Sequence, residues 1–466
     1  MKHLWMATAL LAFGCGTPEA GGDDTAERQD GQDDTFVADG KADSNGVEDR
    51  SWAAQCVLNV ANTASLKQLD DDMSLFSGTA KDIIAARPYA SIAQLDEVPW
   101  VGWYVFNQLN NYAQSKGYCP KLTEEYVPPD EAEDTQAVAV AGMEHIQGKF
   151  DEGERPAHRD AHPKAHGCVQ AFFTVDHTAL PADMRVGVFA EQGREYPAWI
   201  RFSNGSFTIS PDPDGDIRGM AIKLMDVPGF KILERTRETK TQDFLLINTP
   251  VLMVRNAHDY VEFSQKAFDG NPISFFTHLD PDEWHFRELL ITLKVLAKDI
   301  ASPLLSRYWS TTPYRLGTQH AVKYSARPCG GESAVQPPNA GENYLAEVLA
   351  ASLAEGEGCF EFLVQDQVDP GQMPIEDPTI EWKDQRSPFL LAGKIRIPSQ
   401  TFQGEAQTVF CENLSFNPWQ SLPEHAPLGG INRVRKVVYE AIAALRHDLN
   451  QAPRVEPVDH TIPPLN

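Results

Sequence analysis

The 466-residue sequence has no apolar run near the ~20 residues that a membrane-crossing helix needs, which excludes a helical span in the body of the chain. Basic residues are in short supply: 40 Lys plus Arg stand against 66 Asp plus Glu, giving a formal charge of −26 and a pI near 4.8. That balance argues against a general grip on phosphate backbones. Cysteine is sparse, seven in all with no CxxC, so a disulfide-built fold and the thiolate-metal and thioredoxin-like readings lose their support. GxSxG, a P-loop and a GxGxxG at a strand-to-helix turn are also missing, and most carboxylates are expected in linkers and on solvated faces, which leaves serine hydrolase and glycosidase readings without a motif. What is present is 42% apolar and 9% aromatic content, enough for at least one large core in more than one domain.

The chain opens with Lys2 and His3, an apolar run over 4–13, then Gly14 and Cys15. This is the layout of a secretory signal. The placement of Cys15 resembles the lipobox of bacterial lipoproteins, which implies a lipid anchor on Cys15 and an envelope location; a plain secretory signal is the alternative. Export permits disulfides, and Cys56 and Cys119 bracket one compact stretch that they could close. Cys168, Cys329, Cys359 and Cys411 are scattered and expected to include buried thiols.

Residues 16–50 carry eleven Asp or Glu and one aromatic, Phe36, so they read as an acidic flexible linker. A second acidic, proline-containing run marks a linker over 121–139. Between them, 51–120 reads as several short helices, with start signals at Asn62 to Leu66, Gly78 to Ala80 and Val98 to Gly102. Their order resembles the helix-hairpin-helix module of secreted competence-type DNA receptors, whose hairpins present amides to phosphates. Few basic residues occur here, which favours a small packing or protein-contact domain over DNA binding.

From 140 to 452 the pattern changes to strands. Apolar, β-rich runs occur at 167–175, 196–203, 218–226, 243–254, 321–325, 359–368, 389–397 and 407–416, with a helical interval over 257–308 that includes 284–297. Eight such strands suit a closed antiparallel β-barrel, since closure removes edges. A long helix over 431–449 precedes a tail at 453–466. The expected class is therefore α+β: an eight-stranded antiparallel barrel with a helical insert and a C-terminal helix, plus a small all-α module.

The last helix holds the first chemical signal. Arg435, Tyr439 and Arg446 are spaced by four and seven residues, so at about 100° per residue they fall within ~40° of one another on one face. A guanidinium beside a phenol favours phenolate, a hard axial donor for ferric iron. Taken alone, the helix is better served by a surface reading, an Arg–Tyr stack with a solvated Arg446.

Further segments resemble the haem catalases in register: Arg159-Asp160-Ala161-His162 before the first strand, Trp199 to Ser203 like "VRFS", Asp216 to Lys223 like "RDPRGFAVK", Asn248-Thr249-Pro250 like "NTP", and Arg435 to Tyr439 as R-x-x-x-Y. The resemblance implies haem b as cofactor, with Tyr439 as the iron ligand and Arg435 as its charge partner. Arg159, Arg201 and Arg446 would bind the propionates. His162 would be the distal acid-base residue with a pKa near its ordinary value, Ser203 would hold its other ring nitrogen, and Tyr260 would lie against the haem face. The implied substrate is a small peroxide or an organic hydroperoxide, and a homo-oligomer is left open.

Two departures stand out. The family's distal asparagine falls at Ile247, and losing such a donor costs on the order of 3 kcal/mol unless Asn248 serves through a one-residue shift. The chain also ends soon after the proximal helix, like the short catalase-related proteins, whose chemistry ranges over weak catalase, peroxidase and lipid-hydroperoxide rearrangement of the allene-oxide-synthase kind. A non-catalytic haem-binding envelope protein is the rival that Ile247 favours. His158, His162 and His166 recur every four residues, but Pro163 breaks a helix there, which argues against a shared metal face and leaves His158 and His166 as solvated or capping groups.

Overall fold

In the computed structural model the described residues are 49–277 and 284–464. The signal over 1–15, its Cys15 and nearly all of the acidic 16–50 stretch lie outside them. Residues 51–120 form α1 (Trp52–Thr63), α2 (Ser77–Ala85), α3 (Ile92–Asp96) and α4 (Trp103–Lys116). Ser65 and Gln68 cap each other reciprocally, amide to side chain both ways, at 2.8 and 3.3 Å. Cys56 and Cys119 are bonded and tie α1 to the residues after α4. Both glycine-containing starts, at Gly78 and Gly102, adjoin observed helices.

The connection over 121–139 is anchored. Its second half belongs to α5 (Glu131–Asp151). Arg433 gathers Glu125, Glu131 and Glu376 at 2.6–2.9 Å and also donates to Tyr126 O at 2.8 Å. A guanidinium with five donors can satisfy three carboxylates at once, which is why an acidic run here is held in place.

Nine strands follow: β1 (Ala165–Val175), β2 (Glu195–Asn204), β3 (Arg218–Leu224), β4 (Gln242–Ile247), β5 (Tyr308–Trp309), β6 (Tyr314–Leu316), β7 (His320–Pro328), β8 (Gly358–Asp366) and β9 (Leu390–Ile397). All pairings are antiparallel, and β5 closes the sheet by pairing both β4 and β7, with β6 added beside β7. The result is a closed eight-stranded barrel. The insert between β4 and β5 carries α6 (Ala257–Phe268), α7 (Ile273–Phe276) and α8 (Phe286–Leu296); α9 (Tyr344–Glu355), α10 (Glu405–Asn413) and α11 (Gly430–Leu449) complete the chain.

Two strand expectations are corrected. Residues 407–416 are not a strand: α10 covers most of them, because the buried positions Gln407, Cys411 and Leu414 follow a helical spacing of four and three while Val409 stays 43% exposed. The eighth barrel strand is instead the two-residue β5, at the end of the interval expected to be helical. The run at 243–254 also stops pairing at Ile247.

Alternation along each strand sorts side chains between the two sides of the barrel. Val169, Ala171, Phe173 and Val175 of β1 point inward with Ile200 and Phe202, Met220 and Ile222, and Phe244 and Leu246. Inside, aromatic rings lie edge to face: Phe173 on Phe362 at 5.2 Å, Phe244 on Phe362 at 5.0 Å and on Tyr324 at 5.1 Å. His425 plugs one end, accepting from Val188 N at 2.9 Å through Nε2, with Nδ1 3.0 Å from Tyr324 Oη.

The tail wraps the outside. Trp199 Nε1 donates to Asp459 O at 3.3 Å, His460 Nε2 lies 2.9 Å from Ala198 O, and Glu456 meets the buried Lys223 at 2.7 Å. Cys329 and Cys359 form a second disulfide, so among the four scattered cysteines only Cys168 and Cys411 are thiols, both buried. The ends of β7 and β8 bring that pair together, with Pro328 opposite Phe360 in the ladder.

Candidate functional site

The outward-facing residues of β1–β4 form the floor of the site. Cys168, Arg201 and Ala221 stand in one cross-strand row; Ser203, Gly219 and Ile247 stand in the next. The loop before β1 lies over this floor. His162 adopts φ +64°, an uncommon backbone for a non-glycine residue, costing roughly 1–3 kcal/mol unless its surroundings fix it. Arg201 Nη2 donates to His162 O at 2.9 Å, and His162 Nδ1 lies 3.0 Å from Ser203 Oγ. Gly219 makes room for the ring: a Cβ there would stand 2.7 Å from both His162 Nδ1 and Ser203 Oγ.

The imidazole is half-buried, and Nδ1 alone has a hydrogen-bond partner among the described residues, leaving Nε2 open. Burial and then the Arg201 charge push its pKa down to about 3, well below the ordinary value expected from sequence. The ring is therefore neutral at physiological pH. His158 and His166 do not join it. His158 Nδ1 lies 3.7 Å from Glu412, while His166 Nε2 meets Asn204 Oδ1 at 2.8 Å in a buried position, not a solvated one. The three rings serve three different partners.

Ile247 pairs with Gly219 at the end of β4. Asn248 stays beyond the strand end, where its Oδ1 accepts from Arg218 N at 2.7 Å and its amide nitrogen is buried without a partner. Ile247 packs with Leu252, Val254, Tyr260, Phe263, Phe275 and Phe276 into an apolar wall.

The opposite side of the site is α11, which contacts α5 and α6. Tyr439 is half-buried against Val438, Ile442 and Tyr260, and no described residue hydrogen-bonds its hydroxyl. Arg435, one turn earlier, donates from Nη1 to Thr312 Oγ1 at 3.1 Å and to Asn432 Oδ1 at 3.4 Å. Its charge nevertheless reaches His162, and Tyr439 reaches Tyr260, whose hydroxyl is pushed up by burial and by that neighbour. Arg435 and Tyr439 of α11 thus lie within electrostatic reach of His162 and Tyr260. Asp160 is also there: burial lifts its carboxyl to about 7, and its Oδ1 has no partner.

At one edge three arginines meet, as the sequence order suggested, but around a residue that sequence reasoning missed. Glu412, at the end of α10, takes Arg159 Nη1 at 2.9 Å, Arg446 Nη1 at 3.9 Å and Arg201 Nη2 at 4.0 Å. Burial opposes its charge, yet Arg159 above all, then a bond from His158, Arg201 and Arg446 hold the carboxyl down at about 2. Arg201 and Arg446 are both pushed down, by burial first and then by Arg159; Arg446 reaches about 9. Arg201 Nε is buried without a partner. The signal that points to Glu412 is helical spacing over 405–414, which puts it beside the buried Cys411.

These residues fit a haem with two carboxylates: an open imidazole nitrogen on one wall, an unpartnered phenol on the other and surplus guanidinium charge at the edge. No family model and no curated protein matches the chain. Among solved structures, catalase A from Saccharomyces cerevisiae superposes with a TM-score of 0.52 at 17% identity, over 66% of this chain and 65% of that one. A fungal catalase gives a TM-score of 0.50 at 18% identity, over 68% and 63%. The chain spans a little under two thirds of the length of these structures, and the likeness shows that it has the catalase-like fold.

Proposed function

We propose that the protein binds haem b between the barrel's outer face and α11 and uses it to break down or consume hydroperoxides. The observation that carries this reading is the pair of open atoms, His162 Nε2 and the Tyr439 hydroxyl, with His162 bonded to Arg201 of the arginine cluster and within electrostatic reach of Arg435, one turn from Tyr439. When bound, haem supplies the iron chemistry that cleaves an O–O bond.

The chain's own residues do the rest. Tyr439 offers a phenolic oxygen to the iron, and Arg159, Arg201 and Arg446 offer guanidiniums to the propionates. His162, neutral with Nδ1 fixed by Ser203, offers Nε2 to a peroxide proton; an imidazole held near 3 takes that proton reluctantly and releases it readily. Ile247 supplies no donor where a peroxide would be oriented. This supports slow handling of hydrogen peroxide. The apolar wall of Ile247, Tyr260, Phe263 and Phe275 favours a second reading, rearrangement or peroxidatic use of an organic hydroperoxide.

We also propose export, with Cys15 as the lipid anchor. Two disulfides accord with an oxidising compartment.

The decisive experiment is a visible spectrum of the chain titrated with haem. An intense Soret band is expected for the parent protein and a weakened or lost one for Tyr439→Phe. His162→Ala is expected to keep haem while oxygen release and donor oxidation fall roughly 10²–10⁴-fold. Absence of a Soret band, or full turnover by the His162 variant, overturns the reading.

A further inference from the structure

Glu412 occupies the centre of the arginine cluster. Three guanidiniums converge on one carboxylate, and the excess is two positive charges. Arg454 also bears on Arg446 and pairs with Glu440 at 2.6 Å, a carboxylate it shares with Arg235 at 3.3 Å. The cluster is built rather than incidental. Arg446 is 2% exposed and Arg201 3%. Arg159 Nη2 donates to Cys411 O at 3.2 Å and to Leu414 O, and Arg446 Nη1 donates to Glu412 O, so carbonyls at the end of α10 orient the guanidiniums. Arg201 Nε remains a buried donor with nothing to bind.

Leaving two charges uncompensated in a buried cluster is costly unless a ligand supplies them. Without Glu412 the excess would be three, more than a dicarboxylate can neutralise. We infer that Glu412 is a specificity-determining residue of the ligand edge: a built-in anion that steadies Arg159, Arg201 and Arg446 and sets their demand at two further carboxylates. The inference rests on the haem reading and deepens it. Glu412 repels the incoming carboxylates at short range, so it also moderates how tightly a diacid is held.

The test uses the full chain and three probes that need no iron: protoporphyrin IX, its monomethyl ester and its dimethyl ester, titrated by porphyrin emission, with haem followed by its Soret band. The parent protein is expected to prefer diacid over monoester over diester, with about tenfold lost at each step. In Glu412→Gln the diacid-to-diester preference is expected to widen by about tenfold further, while Glu412→Asp, which keeps the charge, retains the parent ratio. A ratio that is unchanged or narrowed in Glu412→Gln overturns the inference, as does an Asp variant that behaves like Gln. If Glu412→Gln does not fold, the parent series still decides, because equal affinity for diacid and diester refutes a charge demand at this edge. Binding of neither haem nor any porphyrin would instead defeat the haem reading, whereas porphyrin binding with no effect of Glu412 defeats this inference alone.

Discussion

The inside and the outside of the barrel are made from the same strands and differ in almost every respect. Inside, alternate residues of β1–β4 and β7–β9 meet as aromatic and aliphatic side chains with essentially no exposure. Outside, the intervening residues include Arg201, Ser203, Gly219 and Lys223, nearly as buried but polar or bare, beside the apolar Trp199 and Ile247. A period of two lets one stretch of sequence build a dry core on one face and a charged, partnered surface on the other. The difference teaches that stability and chemistry can be probed separately here, one residue apart.

The sharpest break of that comparison comes from the inside. Phe362 is fully buried and packs on Phe173 and Phe244, so Phe362→Ala should cost about 3–5 kcal/mol in denaturant unfolding while haem uptake by the folded fraction is unchanged. A coupled loss of haem affinity in the folded fraction would mean the two faces are not separable. Next is Gly219→Ala on the outer face. The new Cβ meets the His162 ring and Ser203 Oγ, so about 1–3 kcal/mol of stability should go together with turnover, because the imidazole must move. Lost stability with intact turnover would take Gly219 and His162 out of the same unit.

Acid gives the mildest effect and touches both faces. His162 and His166 outside and His425 inside are all held at about 3 by burial, and His145 and His447 at about 4. As pH falls below the ordinary 6.5, the unfolded chain takes up protons that the folded one refuses, so stability declines from there toward pH 3. Asp160 and Asp243, both raised to about 7 by burial, work the other way, since their folded forms prefer the proton, but these two face five imidazoles. Thermal melts that are level between about pH 7 and about pH 5 would contradict this balance.

Much of this was legible in the sequence. Seven of the eight expected strands align with barrel strands because their alternation is clear, and the last helix begins within one residue of its expected start. The rest depended on contacts made far along the chain. Val409-Phe410 mimics a strand when read locally, although Cys411 and Leu414 pack as a helix. Tyr308-Trp309 is too short to carry a pattern, and only pairing with Ile247 and Ser325 makes it a strand. Cys329 and Cys359 look unrelated until the ladder of β7 and β8 sets them side by side. For the site, the order of motifs placed Arg159, Arg201 and Arg446 together, but nothing local showed that Glu412 would sit among them or that Arg435 would reach Thr312.

Arg433 has a mechanical consequence. It grips Glu125, Glu131 and Glu376 from a position six residues before Tyr439 on the same helix, so a pull along the chain from residues 51–120 meets the ionic bonds at Glu125 and Glu131, with Glu376 holding Arg433 from the barrel side, before it can reach the phenol. The site is thereby insulated from whatever pulls on the front of the molecule, much as a cleat keeps a rope's load off the fitting behind it.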